Sequence, residues 1–285
     1  MKILLMSFFL VMTPLVSAAA ESDPLLVKKD GEVVQTIDPG EYAFSFIINE
    51  SKLEVLLDQL NDQVYQKPVD ASLDDEGNIV SGKPGTALDK RAFELAFRKF
   101  VYQGKPSEME LPMRRVYPRV DSELLSEIRE KEIGDYVTHF KKDNKERVTN
   151  IKLATDAINN QVVFPGETFS FNKTVGERTE EKGYKRAPVI EEGELTEDIG
   201  GGICQLSSTL YNAVDVKGIE IVERYSHSRS VPYVPPGRDA TVSWWGPDFS
   251  FENKLSQPIL IRAKADDGEM RIKIYSSVHT REPEN

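Results

Sequence analysis

The stretch GGGICQLSSTLYNA, residues 200–213, joins three glycines to the only cysteine of this 285-residue chain. After Cys204, the residues Leu206, Leu210 and Val214 recur at helical spacing, which predicts a helix that begins at or next to the cysteine. Unpaired N–H groups and the helix dipole favour a thiolate at such an end. The same N–H groups, exposed by the glycines, could hold a developing oxyanion.

The first eighteen residues predict a secretory signal peptide. Lys2 precedes an apolar run over residues 3–11, and Val16-Ser17-Ala18 provides the small residues of a cleavage site. The run is too short to span a bilayer comfortably, and no later stretch approaches ~20 apolar residues. We therefore expect a mature protein outside the cytoplasm with no stable membrane anchor after cleavage.

Composition excludes several function classes. The formal net charge of −11 disfavours nucleic acid as a partner and gives no basic patch for anionic membranes. One cysteine and three scattered histidines lack metal-ligand spacing, and the glycine run is not followed by the Lys-Ser/Thr of a phosphate loop. We expect neither a metal nor another cofactor.

A lone cysteine in an exported protein can be a buried small hydrophobe, an intermolecular bridge or a nucleophile. The glycine run and the helix start favour the nucleophile, which needs a base. His227 is preferred, since it follows a strand that returns from the cysteine helix. A third group should orient the imidazole, and Asp239 and Asp248 are both candidates.

Other polar side chains near this stretch could either take part in the site or have a purely structural role. Arg224 or Arg178 could hold a substrate carboxylate, although such residues more often form surface ion pairs. Ser207 and Ser208 are expected on the helix surface or in local hydrogen bonds, because no base is placed to make either a nucleophile.

The chain as a whole predicts an α+β protein of two domains. After the signal peptide (1–18), residues 25–118 alternate hairpin signals with two amphipathic helices and form a small α+β module. Residues 119–132 are charged and helical, a connector with a solvated face. Residues 133–280 form a β-rich domain whose cysteine lies at the N-terminus of a helix.

From residue 133 onward the sequence resembles the VanW family. Upstream, two segments resemble the peptidoglycan-binding module that often precedes VanW domains. The motifs that carry the two likenesses are RVTNI, FPGETFSFNKTVGERTEEKGYKRAPVI, GGGICQLSSTLYNA, ERYSHSRSVPYVPPGRDATV and DFSFENKLSQPILI, and, upstream, KPGTALDKRAFELAFRKFVYQG and MELPMRRVYPRV.

The resemblance implies a cell-wall protein of bacteria, in a family named from glycopeptide-resistance gene clusters. Some VanW domains are understood as L,D-transpeptidases that link peptidoglycan stem peptides through a cysteine acyl-enzyme. By motif, the nucleophile is Cys204, and the matching positions around it are Gly201, Gly202, Gln205, Ser207, Ser208 and His227.

Three functions follow from this resemblance as expectations. The first is a peptidoglycan L,D-transpeptidase, although its better-known motif places Ser-His-Gly directly before the cysteine, whereas here Ser226-His227 follows Cys204 and Ser228 replaces the glycine. The second is a cysteine peptidase or amidase acting on stem peptides. The third is a non-catalytic wall-binding accessory protein linked to glycopeptide resistance.

Overall fold

The computed structural model describes residues 23–44, 47–103, 105, 107–191 and 194–283, with the backbone alone at 190, 191, 194 and 195. The predicted signal peptide lies outside these residues. Chain contacts divide the described residues into a first unit, 23–68 with 84–117, and a second unit, 69–83 with 118–283. Within the described residues, no helix has the length and apolar character to cross a membrane.

The predicted α+β class is confirmed. In chain order, the strands are β1 (Leu25–Lys29), β2 (Glu32–Ile37), β3 (Ala43–Phe44), β4 (Ile47–Ile48), β5 (Ser72–Leu73), β6 (Ile79–Val80), β7 (Gly85–Leu88), β8 (Glu108–Glu110), β9 (Met113–Val116), β10 (Lys131–His139), β11 (Val162–Val163), β12 (Thr168–Ser170), β13 (Arg186–Glu191), β14 (Glu194–Ile199), β15 (Ile219–Glu223), β16 (Ser250–Asn253), β17 (Ile259–Asp266) and β18 (Glu269–Ser276). The helices are α1 (Pro39–Tyr42), α2 (Glu50–Val64), α3 (Lys90–Gln103), α4 (Ser122–Ile128), α5 (Lys145–Ile158), α6 (Phe171–Val175) and α7 (Ile203–Val214), with a 3-10 helix at Glu180–Lys182.

The first unit packs α2 and α3 around an apolar core. Phe93, Phe97 and Phe100 lie three or four residues apart on one face of α3, and all three are buried. Their side chains therefore form part of the core of this unit. Strand β1 pairs antiparallel with β2 and parallel with β8.

The second unit is built around the cysteine helix. An antiparallel sheet has the order β10-β18-β17-β11, and α7 packs against β10 and β18 while α5 packs against β17. Helix α7 is buried continuously from Gln205 to Val214. Gly134 permits this packing, because a Cβ there would lie 2.0 Å from the carbonyl oxygen of Ala213 in α7.

Two segments differ from the sequence-based picture of the second unit. The predicted connector contains α4, whose Leu125 and Ile128 are fully buried in a cluster with Leu260 of β17. The hairpin of β5 and β6 lies inside the predicted N-terminal module, yet its contacts assign it to the second unit. The backbone N–H of Leu73 in that hairpin donates to Oδ1 of Asn160 at 2.9 Å, and Nδ2 of Asn160 donates to the carbonyl oxygen of Leu73 at 3.0 Å.

Candidate active site

Cys204 is the second residue of α7, as the sequence predicts. The helix is preceded by Gly202 at φ 108°, a conformation that side-chain-bearing residues rarely adopt, and a Cβ there would lie 2.9 Å from Cγ1 of Ile151. The Cys204 thiol lies 3.5 Å from the carbonyl oxygen of Val242 and 3.7 Å from Oγ1 of Thr241. Among the described residues, no backbone acceptor pairs with the N–H of Cys204, which leaves that donor at a helix N-terminus.

His227 and Asp239 meet at the cysteine. Strand β15 runs back from the end of α7, and the chain beyond it returns His227 to the helix start, where the imidazole hydrogen-bonds the thiol. Nδ1 of His227 lies 2.7 Å from Oδ2 of Asp239, which also accepts the backbone N–H of His227 at 2.6 Å. The side chains are only 5% and 9% exposed. Since Asp239 holds Nδ1, Nε2 is the nitrogen left to face the thiol.

The three groups shift one another's proton affinities. Burial opposes ionisation of the Cys204 thiol, but the hydrogen bond and positive charge of His227, with the bonds at Val242 and Thr241, lower its pKa. Burial likewise opposes protonation of His227, but Cys204 and Asp239 raise the pKa of the imidazole. The pKa of Asp239 is lowered: the cost of burial is outweighed by its bonds from His227. These directions favour a thiolate–imidazolium pair, the reactive form of a cysteine nucleophile.

Three polar side chains hold the segment that carries Asp239. Two of them, Ser207 and Ser208, belong to α7, and the third is Arg224. Ser207 Oγ donates to the carbonyl oxygen of Ala240 at 2.6 Å, and Ser208 Oγ accepts the Ala240 N–H at 2.9 Å. Nη1 of Arg224 donates to the carbonyl oxygen of Asp239 at 2.7 Å. Both serines are fully buried and also donate to the carbonyl oxygen of Cys204, so of the two expected arrangements the local hydrogen bonds are present and the helix-surface position is not.

These contacts change the roles expected for Arg224 and the two serines. The Arg224 guanidinium also stacks over the ring of Tyr211 at 4.7 Å, and it is absent from the lining of the cavity that contains the thiol. Ser207 and Ser208 are absent from that lining as well. All three residues hydrogen-bond the backbone at Asp239 or Ala240, whereas a role in substrate binding stays a prediction.

Two glycines of the opening stretch differ in position. Gly202 lines the cavity beside the thiol, whereas Gly201 does not. A Cβ on Gly201 would lie 2.6 Å from the carbonyl oxygen of Ala187, and the Gly201 carbonyl oxygen accepts a bond from Nδ2 of Asn150 at 3.1 Å. Gly201 therefore permits close backbone packing, and the predicted oxyanion role stays a prediction.

Gln205 connects the helix start to two neighbouring elements. Its Nε2 donates to Oγ1 of Thr138 at 3.1 Å and to the carbonyl oxygen of His139 at 2.9 Å. Its Oε1 accepts a hydrogen bond from Nη2 of Arg147 at 2.9 Å. Gln205 lines the cavity, so it both fixes the helix end and orients an arginine toward the thiol.

Asp248, the other candidate for the orienting acid, is occupied at a different helix. Its carboxylate accepts hydrogen bonds from Oγ of Ser170 at 2.5 Å and from the backbone N–H of Asn172 at 2.8 Å. Asp248 therefore caps the start of α6. Of the two other histidines, His139 is exposed at the end of β10 and lines the cavity that contains the thiol, and His279 is exposed near the C-terminus. In the part of the chain that the structure describes, no group of three or more His, Cys, Asp or Glu side chains could hold a metal ion.

The thiol opens into a cavity of about 1180 Å³ that also contains residues the sequence reasoning did not assign. Arg147 enters it from α5, and Tyr233 stands edge-on to the His227 ring at 6.5 Å. Trp244 and Trp245 also line the cavity, Trp245 with 88% of its surface exposed. The sequence does place Arg147 on the inward face of α5, because it precedes Ile151 by four residues, but it does not show which element that face contacts.

Comparison with known proteins places this geometry in context. Residues 146–275 match the family described as "VanW like protein", and residues 25–110 match the one described as "Putative peptidoglycan binding domain". The second match supports association with the cell-wall polymer.

Two relatives extend these matches. The uncharacterized protein YoaR of Bacillus subtilis (strain 168) is 49% identical over 280 residues, covering 97% of this chain and 91% of that protein. The vancomycin B-type resistance protein VanW of Enterococcus faecalis (strain ATCC 700802 / V583) is 30% identical over 135 residues, 46% of this chain and 49% of that protein. No solved structure matches the chain.

Proposed function

Because the chain belongs to the VanW family, we propose that it is an exported cell-wall enzyme, a peptidoglycan L,D-transpeptidase that acts through a cysteine acyl-enzyme. The observation that carries the proposal is the hydrogen-bonded series Cys204–His227–Asp239 at a helix start inside a cavity. Nucleophile, base and orienting acid are the parts that cysteine acyl transfer requires.

The first half-reaction forms a thioester. The Cys204 thiolate attacks a carbonyl carbon of a donor stem peptide, and the carbonyl oxygen becomes an oxyanion beside the N–H of Cys204. As the tetrahedral intermediate collapses, the C–N bond breaks and the His227 imidazolium gives its proton to the leaving amine. Asp239 keeps the ring oriented and stabilises its positive charge.

The second half-reaction forms the cross-link. Neutral His227 accepts a proton from the amine of a second stem peptide, which attacks the thioester carbon. The new C–N bond forms as the C–S bond breaks, and the thiolate–imidazolium pair is restored. If water takes the place of the amine, the same steps make the enzyme a peptidase or amidase.

The rest of the chain fits a role in the wall. The N-terminal module would bring the enzyme to peptidoglycan, in line with its family match. The resistance named for the Enterococcus relative would follow from altered cross-linking, which changes the stem peptides exposed to glycopeptides.

The test is incubation of purified protein with muropeptides and analysis of the products by mass spectrometry. We expect cross-linked dimers from the wild type and none from Cys204→Ala or His227→Ala, with His279→Ala as the matched control that keeps activity. Trimmed monomers would identify hydrolysis instead of transfer. Dimers from Cys204→Ala, or no product from wild-type protein, would count against an enzyme and favour the wall-binding accessory role.

A further inference from the structure

Two arginines line the wall of the thiol cavity, and neither forms an ion pair with a carboxylate among the described residues, although the charge of Asp248 acts on Arg178 from a longer distance. Nη2 of Arg178 donates to Oδ1 of Asn172 at 2.7 Å, and Arg147 donates to Gln205, so both identified partners are uncharged amides. Within the described residues neither guanidinium lies within ion-pair distance of a carboxylate. The cavity does contain four acids, none of which pairs with these arginines: Asp143, Glu146, Glu177 and Asp198.

Arg178 also carries an unused donor. Its Nη1 is buried and has no hydrogen-bond partner, an arrangement that is unfavourable unless a ligand supplies an acceptor. The side chain is held in place by its bond to Asn172 and by the ring of Phe171, 5.9 Å from the guanidinium carbon. It is therefore a fixed cation with an open hydrogen-bonding position.

The location of both arginines relates them to the reacting thiol. Each guanidinium is close enough to interact electrostatically with the Cys204 thiolate, and each lines the same cavity. Burial lowers the pKa of both side chains, yet an arginine stays protonated at neutral pH. A planar guanidinium that lacks an anionic partner suits a carboxylate, which it can bind through two parallel N–H bonds.

We propose that Arg178, assisted by Arg147, forms a carboxylate-binding subsite beside Cys204, so that the substrate must carry a free carboxylate near the carbonyl under attack. This inference rests on the proposed function for its substrate, and it assigns the specificity of that function to two residues. The carboxylate is either the C-terminal group of the peptide or a carboxyl group borne along it.

Alkylation of the single cysteine tests the subsite without any turnover. Iodoacetate carries a carboxylate and iodoacetamide does not, and both consume the same thiolate, so the ratio of their rates cancels any change in the thiol pKa. We expect Arg178→Met to lower the iodoacetate-to-iodoacetamide ratio about tenfold, the factor that one charge-assisted hydrogen bond supplies. Arg271→Met, which removes a surface arginine paired with Asp135, should keep the wild-type ratio.

Arg178→Lys is a second variant in case Arg178→Met fails to fold. Lysine keeps the positive charge but lacks the two parallel N–H donors of the guanidinium, so it should give an intermediate ratio. Circular dichroism and thermal melting establish that each variant is folded. A folded Arg178→Met with the wild-type ratio would overturn the subsite, and so would an equal fall in Arg271→Met. Because no product is measured, this failure is separate from failure of the transpeptidase assay.

Protection of the thiol from iodoacetamide identifies which carboxylate binds. A stem peptide that protects as the C-terminal acid but not as the amide places its terminal carboxylate on Arg178. Protection by the C-terminal amide that is lost when a carboxyl group along the peptide is amidated places that group there instead. Equal protection by a fully amidated peptide refutes the subsite.

Discussion

Asp239→Asn isolates the contribution of the orienting acid. The carboxylate accepts two bonds from His227, at 2.6 and 2.7 Å, and its side chain is 9% exposed, so little water can replace its charge. The asparagine amide keeps the size and one acceptor but removes the negative charge that stabilises imidazolium. A hydrogen bond to a charged group contributes about 1.5–3 kcal/mol. At 1.36 kcal/mol per pKa unit, the pKa of His227 should fall by about one to two units.

The thiol reports this change. With a weaker imidazolium beside it, the pKa of the Cys204 thiol should rise, because His227 is the partner that lowers it. Below the wild-type midpoint, each unit of rise cuts the thiolate fraction tenfold, so a rise of about one to two units should slow alkylation by about 10- to 100-fold.

The assay is the rate of iodoacetamide labelling from pH 4 to pH 10, read by mass spectrometry on folded protein. Asp248→Asn is the matched control, since that acid likewise accepts hydrogen bonds from a side chain and from backbone N–H groups but caps α6, and it should leave the midpoint unchanged. An Asp239→Asn midpoint equal to that of the wild type would refute the triad. A shift in Asp248→Asn alone would transfer the role to the other aspartate.

Two further changes test how the second unit supports the site. Gly134→Ala places a methyl group 2.0 Å from the Ala213 carbonyl oxygen, so urea unfolding should show a loss of about 1–3 kcal/mol; an unchanged midpoint would contradict the close approach of β10 and α7. Leu125→Ala should cost about 2–5 kcal/mol because the side chain is fully buried. Its exposed counterpart on α4, Ser126→Ala, should change stability by less than about 0.5 kcal/mol, and equal effects would mean that α4 is a connector without a core.

The sequence predicted the centre of the site because its signals are local or adjacent. Glycines before a helical pattern place Cys204, and a helix followed by a returning strand brings His227 back to it. The choice between Asp239 and Asp248 could not be made from the sequence. Both lie in irregular segments whose course depends on tertiary contacts, here the bonds of Ala240 to α7.

The sequence pattern did not predict how deeply several polar and charged segments are buried. Helix α7 has the polar residues of a half-exposed helix, yet it is enclosed on all sides, so its serines bond inward to another segment. Arg147 lies 57 positions before Cys204, and its role depends on the packing of α5 against α7, which spacing alone does not reveal. Similarly, α4 reads as charged, although Leu125 and Ile128 anchor it.

The contacts around Asp239 bear on when the site is assembled. Ser207 and Ser208 in the first turns of α7 hold Ala240, and Arg224 holds the carbonyl of Asp239, so the acid is fixed by the helix that carries the nucleophile. These bonds are made within the protein and require no substrate. The arrangement of Asp239 and His227 beside the thiol is therefore in place before a peptide arrives. Under the proposed function, binding energy from the substrate carboxylate would then remain available to position the carbonyl.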